Sequence, residues 1–323
     1  MKHITVLLDE AVEVLNVKEG DVVVDATLGA GGHTLKLLEK VGDSGRVVAI
    51  DLDQEAIREF EKKIREMDLR HRTNLKERLI LINDNFKNIQ DIINKLYARG
   101  GIKLNKVDGI LADLGWRIEQ VQDKRYGMSF QQDAPLNMRM DGQVNGLTAW
   151  QVVNEWSQDE LADIFKELGE ERMARQIAQE IVKRRREKEL NTTGELANLI
   201  VDIKGTNPRS GIHPATKVFQ ALRIVVNEEF GNLNVFLEQS IKLLKSKGRL
   251  AVISFHSLED RLVKNFLRTK ARGCVCPKEI PVCVCDGKSE IKLIKRKGIK
   301  PSKEELNNNR RARSARLRVG ERV

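Results

Sequence analysis

The stretch Asp25-Ala-Thr-Leu-Gly29-Ala-Gly31-Gly32-His33-Thr34 limits what this chain can become more than any other. An apolar β-branched run, Val22-Val23-Val24, leads into it. Leu35, Leu37 and Leu38 follow with helical spacing, so the order is strand, glycine-rich turn, helix. Glycines there let the backbone approach a ligand, and the helix N-terminus presents N–H groups. A second strand, Arg46 to Ile50, ends at Asp51, about twenty residues past the first glycine, where a carboxylate can take both hydroxyls of a ribose. A dinucleotide fingerprint needs G-x-G-x-x-G/A, but the sixth position from Gly29 is Thr34. Asp25 at the strand end, followed by G-x-G-G, suits S-adenosylmethionine better. That cofactor carries an ammonium and has no pyrophosphate to cradle. A tight turn without a ligand is the plainer alternative for the glycines alone, and Asp51 weighs against it.

The alternation continues. Strands are expected at Arg78–Ile82 and Lys106–Ala112, with helices over 54–67 and 89–96 between them. This βαβα order implies an α/β fold with a parallel, doubly wound sheet, whose ligands sit beyond the carboxyl ends of the strands. Asp25, Asp51, Asp84 and Asp113 all fall at such ends and make an acidic rim. After Trp116 the alternation stops. Helices are expected over 154–168 and 170–186, the second ending in Lys183-Arg184-Arg185-Arg186. A third follows Thr192-Thr193-Gly-Glu195, a capping-box start. The sheet resumes with a helix over 232–244 and a strand over 248–255. Another helix follows, with Ser257 as its expected N-cap. Residues 291–294 and 314–319 are expected to add an antiparallel edge. The domain expectation is a discontinuous sheet domain, 1–115 and 213–323, with a helical substrate-recognition domain, 116–212, inserted.

With 41% hydrophobic residues in 323, the chain can bury a large core. No apolar run approaches the roughly 20 residues that span a membrane. Asp9 and Glu10 follow Met1 too soon for a signal peptide, so the protein is read as cytoplasmic. The net charge is +10, and residues 261–323 carry nineteen Lys and Arg against six Asp and Glu. A basic excess so concentrated suggests a polyanionic partner, most simply nucleic acid; a solvated basic surface is the alternative. Cys274, Cys276, Cys283 and Cys285 form C-x-C-x6-C-x-C. Disulfides are not expected in a cytosolic protein, so these are either ligands of a structural zinc or a reduced loop.

Several stretches together resemble one family. They are His3-Ile-Thr-Val-Leu-Leu-Asp-Glu10, the turn from Gly29 to His33, Tyr126-Gly-Met-Ser-Phe130 and Pro135-Leu-Asn-Met-Arg-Met-Asp141. To these add His213-Pro-Ala-Thr-Lys-Val-Phe-Gln-Ala-Leu-Arg-Ile224, Ile253-Ser-Phe-His-Ser-Leu-Glu-Asp-Arg261 and Arg311-Ala-Arg-Ser-Ala-Arg-Leu-Arg318. From end to end the chain is similar to the MraW/RsmH family of bacterial small-subunit ribosomal RNA (cytosine-N4) methyltransferases. The resemblance implies a Rossmann-like class I methyltransferase sheet and S-adenosylmethionine as methyl donor. It also implies a target cytidine in the decoding region of 16S rRNA, with the 30S subunit as substrate. It places cofactor contacts on Gly31, Gly32, His33, Asp51, Phe86, Asp113 and Gln120. One segment departs from the pattern. Where the family usually continues Val-Ser-Ser-Pro-Gln-Leu after Asp113-Leu-Gly, this chain has Trp116-Arg-Ile-Glu-Gln120-Val121, and Asn137 replaces the usual Asp.

A sulfonium is already activated, so such an enzyme mainly positions its nucleophile. The exocyclic amine of cytosine is a poor nucleophile, and an acceptor on its N–H groups helps it react. Asp113 or nearby carbonyls are the expected acceptors, and Trp116 is a stacking candidate. His256, Ser254 and Arg139 are further candidates for the base pocket. The competing functions are a methyltransferase of the same core acting on DNA or a small molecule, and a non-catalytic RNA-binding relative. Oligomeric state is not legible in the sequence.

Overall fold

Two apolar faces build the sheet. Val23, Val47, Ala49, Leu111, Ala251 and Ile253 point into one buried cluster, and Val24, Val48, Ile50, Ile110, Ala112 and Val252 into another. Successive strand residues point to opposite faces, so each strand must be apolar on both, as parallel sheets require. The computed structural model describes residues 4–71, 74–100, 102, 105–116, 121, 123–140, 146–206, 213–273, 276, 285 and 287–323. The seven strands are β1 (Val22–Asp25), β2 (Arg46–Asp51), β3 (Leu79–Asn83), β4 (Val107–Asp113), β5 (Leu244–Ser254), β6 (Ile291–Leu293) and β7 (Arg316–Arg322). Their order is β3-β2-β1-β4-β5-β7-β6. β1 to β5 are parallel, and β7 lies antiparallel between β5 and β6. This is the Rossmann-like class I methyltransferase sheet, with both expected edge strands present.

Helices cover both faces. Leu8–Leu15, Gly32–Val41 and Gln54–His71 supply Val12, Leu37, Leu38 and Phe60 to the first cluster. Ile89–Ala98, Glu229–Leu243 and Ser257–Arg272 supply Ile93, Phe236, Leu237 and Val263 to the second. Register aligns the strand ends: Asp25 lies beside Ala49, Asp51 beside Asn83, and Asp113 beside Ile253. Three carboxylates thereby reach one edge of the sheet.

The chain divides into two compact units, residues 1–115 with 232–323, and residues 116–231. The second unit is helical, built from Ala149–Glu155, Gln158–Glu167, Ala174–Glu187, Thr193–Lys204 and Thr216–Val226 around Phe165, Ile177, Ile181, Ile200 and Phe219. The sheet unit resumes at Asn232 rather than 213, because Val218, Phe219, Ala221 and Leu222 belong to the helical core. The helix expected over 154–168 is two helices. Ser157 accepts from Glu160 N–H and Glu160 reaches back to Ser157 N, so the chain breaks and restarts there. The Thr192–Glu195 box caps its helix as expected.

Several of the recognisable stretches join this helical unit together. Phe130 stacks on His213 with ring centroids 4.3 Å apart and meets Phe219 edge-on at 5.1 Å. Asn227 clamps the Met138–Met140 segment, donating to Met138 O at 2.8 Å and accepting from Met140 N at 2.9 Å. Met138 needs that clamp because its φ is 59°. Within the basic run, Arg185 turns inward and donates to Val153 O and Trp156 O, while Lys183, Arg184 and Arg186 are exposed.

Candidate active site at the carboxyl ends of the strands

Three acids and two threonines organise the rim. Asp25 is fully buried at the end of β1. It accepts from Thr34 Oγ1 at 2.6 Å and from Thr27 N at 3.3 Å. Its carboxyl therefore braces the two ends of the glycine turn. Asp51 ends β2 and accepts Gly29 N–H at 2.8 Å on one oxygen and Asp53 N–H at 2.8 Å on the other. A carboxylate has about four lone-pair sites, so these bonds aim Asp51 without exhausting it as an acceptor. Thr27 Oγ1 accepts Asp113 N–H at 2.6 Å, tying the end of β4 to the same turn. Asp84, the fourth expected acid, accepts from Asn85 N and Asn88 Nδ2, both at 2.7 Å, and shapes the loop after β3.

The electrostatics of this rim are unfavourable by themselves. Burial pushes the Asp25 carboxyl up to about 7, and the neighbouring Asp51 adds to the rise against the hydrogen bonds from Thr34 and Thr27. Burial also holds Asp113 well above the usual carboxylate range, with further repulsion from Asp25 and Glu259. Asp113 Oδ1 is buried with no hydrogen-bond partner among the described residues, and Oδ2 lies 3.7 Å from Nδ1 of the buried His33. A site that gathers carboxyls at such cost is complementary to a cation, and hostile to a pyrophosphate.

The glycines serve different ends. Gly29 has φ 53°, and a Cβ there would touch only Thr27 O, at 4.0 Å, so its backbone is approachable. Gly31 has φ 77°, and a Cβ there would lie 1.9 Å from the Phe60 ring. At Gly32 a Cβ would lie 1.9 Å from Thr5 Oγ1. Gly31 and Gly32 are thus required by close packing of the helix start. Gly31→Ala is expected to cost about 2–5 kcal/mol from left-handed backbone strain plus overpacking. A thermal melt checks this, and a midpoint equal to the wild type's would contradict the packing seen at Phe60.

Phe86, just beyond β3, is half-buried and meets Phe236 edge-on at 5.2 Å. His256 proves to be the N-cap of the helix Ser257–Arg272, in place of the expected Ser257. Its Nδ1 accepts Glu259 N–H at 3.4 Å, and Nε2 lies 3.2 Å from Glu259 Oε1. Glu259 Oε2 in turn accepts the N–H groups of Phe255 and His256. The ring is engaged in capping, which the residue pattern H-x-x-E hides because histidine is an uncommon cap. Ser254 donates to Arg316 O at 3.3 Å and closes the β5–β7 ladder. Trp116 packs on the core of the helical unit, with the Arg223 guanidinium 5.7 Å from its ring centre. Arg139 Nε donates to Asn137 Oδ1 at 2.8 Å. Gln120, Cys274 and Cys283 lie outside the described residues. Of the four cysteines that a zinc or a reduced loop would explain, Cys276 is buried and Cys285 half-buried. Thr27, Thr34, Thr5 and Glu259 are the site residues that motif reading missed.

A family model for the MraW methylase family matches residues 1–323. The chain belongs to that family. Among its relatives is the ribosomal RNA small subunit methyltransferase H of Caldicellulosiruptor saccharolyticus, 45% identical over all of this chain and 99% of the relative. Proteins of the same name from Brevibacillus brevis and Halothermothrix orenii are 42% and 44% identical. They align over 99% and 100% of this chain, and over 98% and 99% of their own lengths. Family membership accords with the rim geometry, since a methylase needs an activated donor held beside an acceptor. No helix among the described residues is long and apolar enough to cross a membrane.

Proposed function

We propose that this protein is a small-subunit ribosomal RNA methyltransferase that transfers a methyl group from S-adenosylmethionine to the exocyclic N4 of one cytidine in the decoding region. The observation that carries the reading is the acidic rim of Asp25, Asp51 and Asp113 around an approachable Gly29. The donor carries both a sulfonium and an ammonium, and a rim of mutually repelling carboxyls is suited to it. The names of the relatives supply the substrate class. Cytosine N4 is the finer assignment. It rests on the family resemblance, and the Asp113 carboxyl offers an acceptor for the proton that an N-methylation releases.

Asp51, aimed by Gly29 N–H, would hold the ribose hydroxyls, and Phe86 offers a ring face for adenine. Gly29, Gly31, Gly32 and His33 form the turn that would meet the cofactor, with Asp25 bracing it. Gln120 is assigned to the cofactor by resemblance alone. When bound, the cofactor supplies an electrophilic methyl on sulfur. The protein's own part is to accept a proton. Once the methyl is delivered to the amine nitrogen, Asp113 Oδ1 would take the proton that nitrogen releases. The raised proton affinity of Asp113 suits that role. His256 acts through the helix cap, and Trp116 through its contacts in the helical unit. The target base must be single-stranded or turned out of its stack to reach the rim. The helical unit, with Lys183, Arg184 and Arg186 exposed, is assigned to substrate recognition.

Two experiments test this. Labelled S-adenosylmethionine is offered with unmodified 30S particles, free 16S rRNA and duplex DNA. Label on the small-subunit RNA supports the reading, and label on DNA alone contradicts it. Asp51→Ala is expected to weaken S-adenosylhomocysteine binding about 10–100-fold by calorimetry, because two charge-assisted hydrogen bonds are lost. Unchanged affinity would remove Asp51 from the cofactor site.

A further inference from the structure

A shallow cleft lies where the helix Ser257–Arg272 packs on the β6–β7 edge, and cationic side chains surround it. Lys264 and Arg268 line it from the helix, Lys295 and Arg296 from the turn after β6, and Arg318 from β7. Leu267, Leu293 and Val319 form its apolar floor. Arg318 is neutralised by a two-pronged pair with Asp260, at 2.5 and 2.9 Å. The other four have no carboxylate within ion-pair distance among the described residues. Nearby bases are treated differently. Lys270 on the same helix pairs with Glu238 and Glu290, and Arg322 with Glu290. Lys264 and Arg268 are also a like-charged i,i+4 pair, an arrangement that costs helix stability. Four unneutralised cations directed at one cleft mark an anion's place.

The position of the cleft bears on what the anion is. Its helix starts at the carboxyl end of β5, where Glu259 is close enough to raise the Asp113 carboxyl. At 1.5 Å per residue, Lys264 and Arg268 lie about 10 and 16 Å along the helix from Ser257. The cleft therefore lies along the helix that starts at the rim's β5 end. Its lysines and arginines suit phosphate oxygens, and its aliphatic floor offers no hydrogen-bonding pattern for a base edge. We propose that this cleft is a backbone track, holding successive phosphates of the single-stranded RNA that flanks the target nucleotide. The track rests on the RNA-methyltransferase reading and extends it to a specific surface. It gives affinity without sequence preference and leaves selection of the base to other contacts.

The test uses two charge-removal variants on separate elements, K264Q/R268Q and K295Q/R296Q. Binding of a labelled single-stranded 16S rRNA fragment is followed by anisotropy across a salt series. Each phosphate contact contributes about 0.7 to the slope of log K against log salt. Each variant is therefore expected to flatten the slope by about 0.7–1.4 and weaken binding about tenfold or more at low salt. KM for RNA should rise while kcat at saturating RNA and S-adenosylhomocysteine affinity hold. Lys295 and Arg296 are exposed on a turn, so their removal leaves the core intact and a loss there reports contact rather than folding. Wild-type slope and affinity in both variants would overturn the track. So would an equal effect on duplex DNA of the same length bound as tightly as the RNA. The two readings fail separately. If the wild type methylates small-subunit RNA but neither variant changes the slope, the track is wrong and the function stands. If it methylates no RNA yet both variants flatten the slope, the function is wrong and the track stands.

Discussion

Asp113→Asn is expected to lower the rate of methyl transfer by about 10²–10⁴-fold, the range for loss of a positioned proton acceptor. The substitution keeps size and shape. It also keeps the backbone N–H bonded to Thr27 Oγ1, so the end of β4 stays in place. What it removes is an oxygen that can take a proton. Single-turnover kinetics at saturating donor isolates this step, and S-adenosylhomocysteine affinity should remain within a few-fold of wild type. The pH profile gives an independent readout. Burial, Asp25 and Glu259 all raise the proton affinity of Asp113, so it ionises above the usual carboxylate range. The acid limb of the wild-type rate should be displaced upward accordingly, and Asp113→Asn should lack it. Full turnover in this variant would assign Asp113 to structure.

Asp25→Asn should make the sheet unit more stable at pH 8 than the wild type, with a smaller difference at pH 5. The sign follows from proton binding. The buried carboxyl holds its proton up to about 7, whereas the unfolded chain releases it near the ordinary value of 3.8. Between these values the folded state binds more protons, so stability falls as pH rises and levels off above about 7. The whole loss is on the order of 4 kcal/mol, and about 2 kcal/mol of it falls between pH 5 and 7. An amide does not titrate, and its oxygen can still accept from Thr34 Oγ1, while its NH2 forfeits the longer Thr27 N–H bond and so offsets part of the gain. Urea midpoints at the two pH values measure the effect, and a pH-independent difference between variant and wild type would rule out a raised Asp25. Above pH 7, where Asp25 is ionised, the same substitution removes negative charge from the rim, so there it should weaken donor binding even as it stabilises the fold.

The sheet was readable because its strands are short apolar β-branched runs that stop at acids. Val22–Asp25, Arg46–Asp51 and Val107–Asp113 each declare both their faces and their ends. Asp51 and Asp113 were legible for the same reason. The threonines were not. Thr27 and Thr34 act through hydrogen bonds across the turn, and Thr5 packs on Gly32 from the distant N-terminal segment, so local spacing carries no sign of them. The boundary at Asn232 was missed because the apolar stripe of Thr216–Val226 fits one core as well as another until partners are known. The break at Ser157 is different: Ser157-Gln-Asp-Glu160 is itself a capping box and was there to be read.

The family-specific stretches divide between chemistry and scaffolding. Arg311–Arg318 buries Ala312 and Ala315 and pairs Arg318 with Asp260, and Glu305 accepts the Leu7 N–H that holds the N-terminal segment. Thr5 of that segment sits on Gly32. The C-terminus thus supports the glycine turn through the N-terminus, which accounts for recognisable residues at both ends of the chain.

The most direct single measurement is nucleoside mass spectrometry of small-subunit RNA after reaction with isotopically labelled S-adenosylmethionine. Label recovered solely as N4-methylcytidine from one decoding-region position is the expected result. It would join the acidic rim, the Asp113 acceptor and the substrate class in one observation. Label at a ring carbon or a ribose oxygen would contradict the assignment, because neither acceptor is the exocyclic amine whose proton Asp113 is proposed to take.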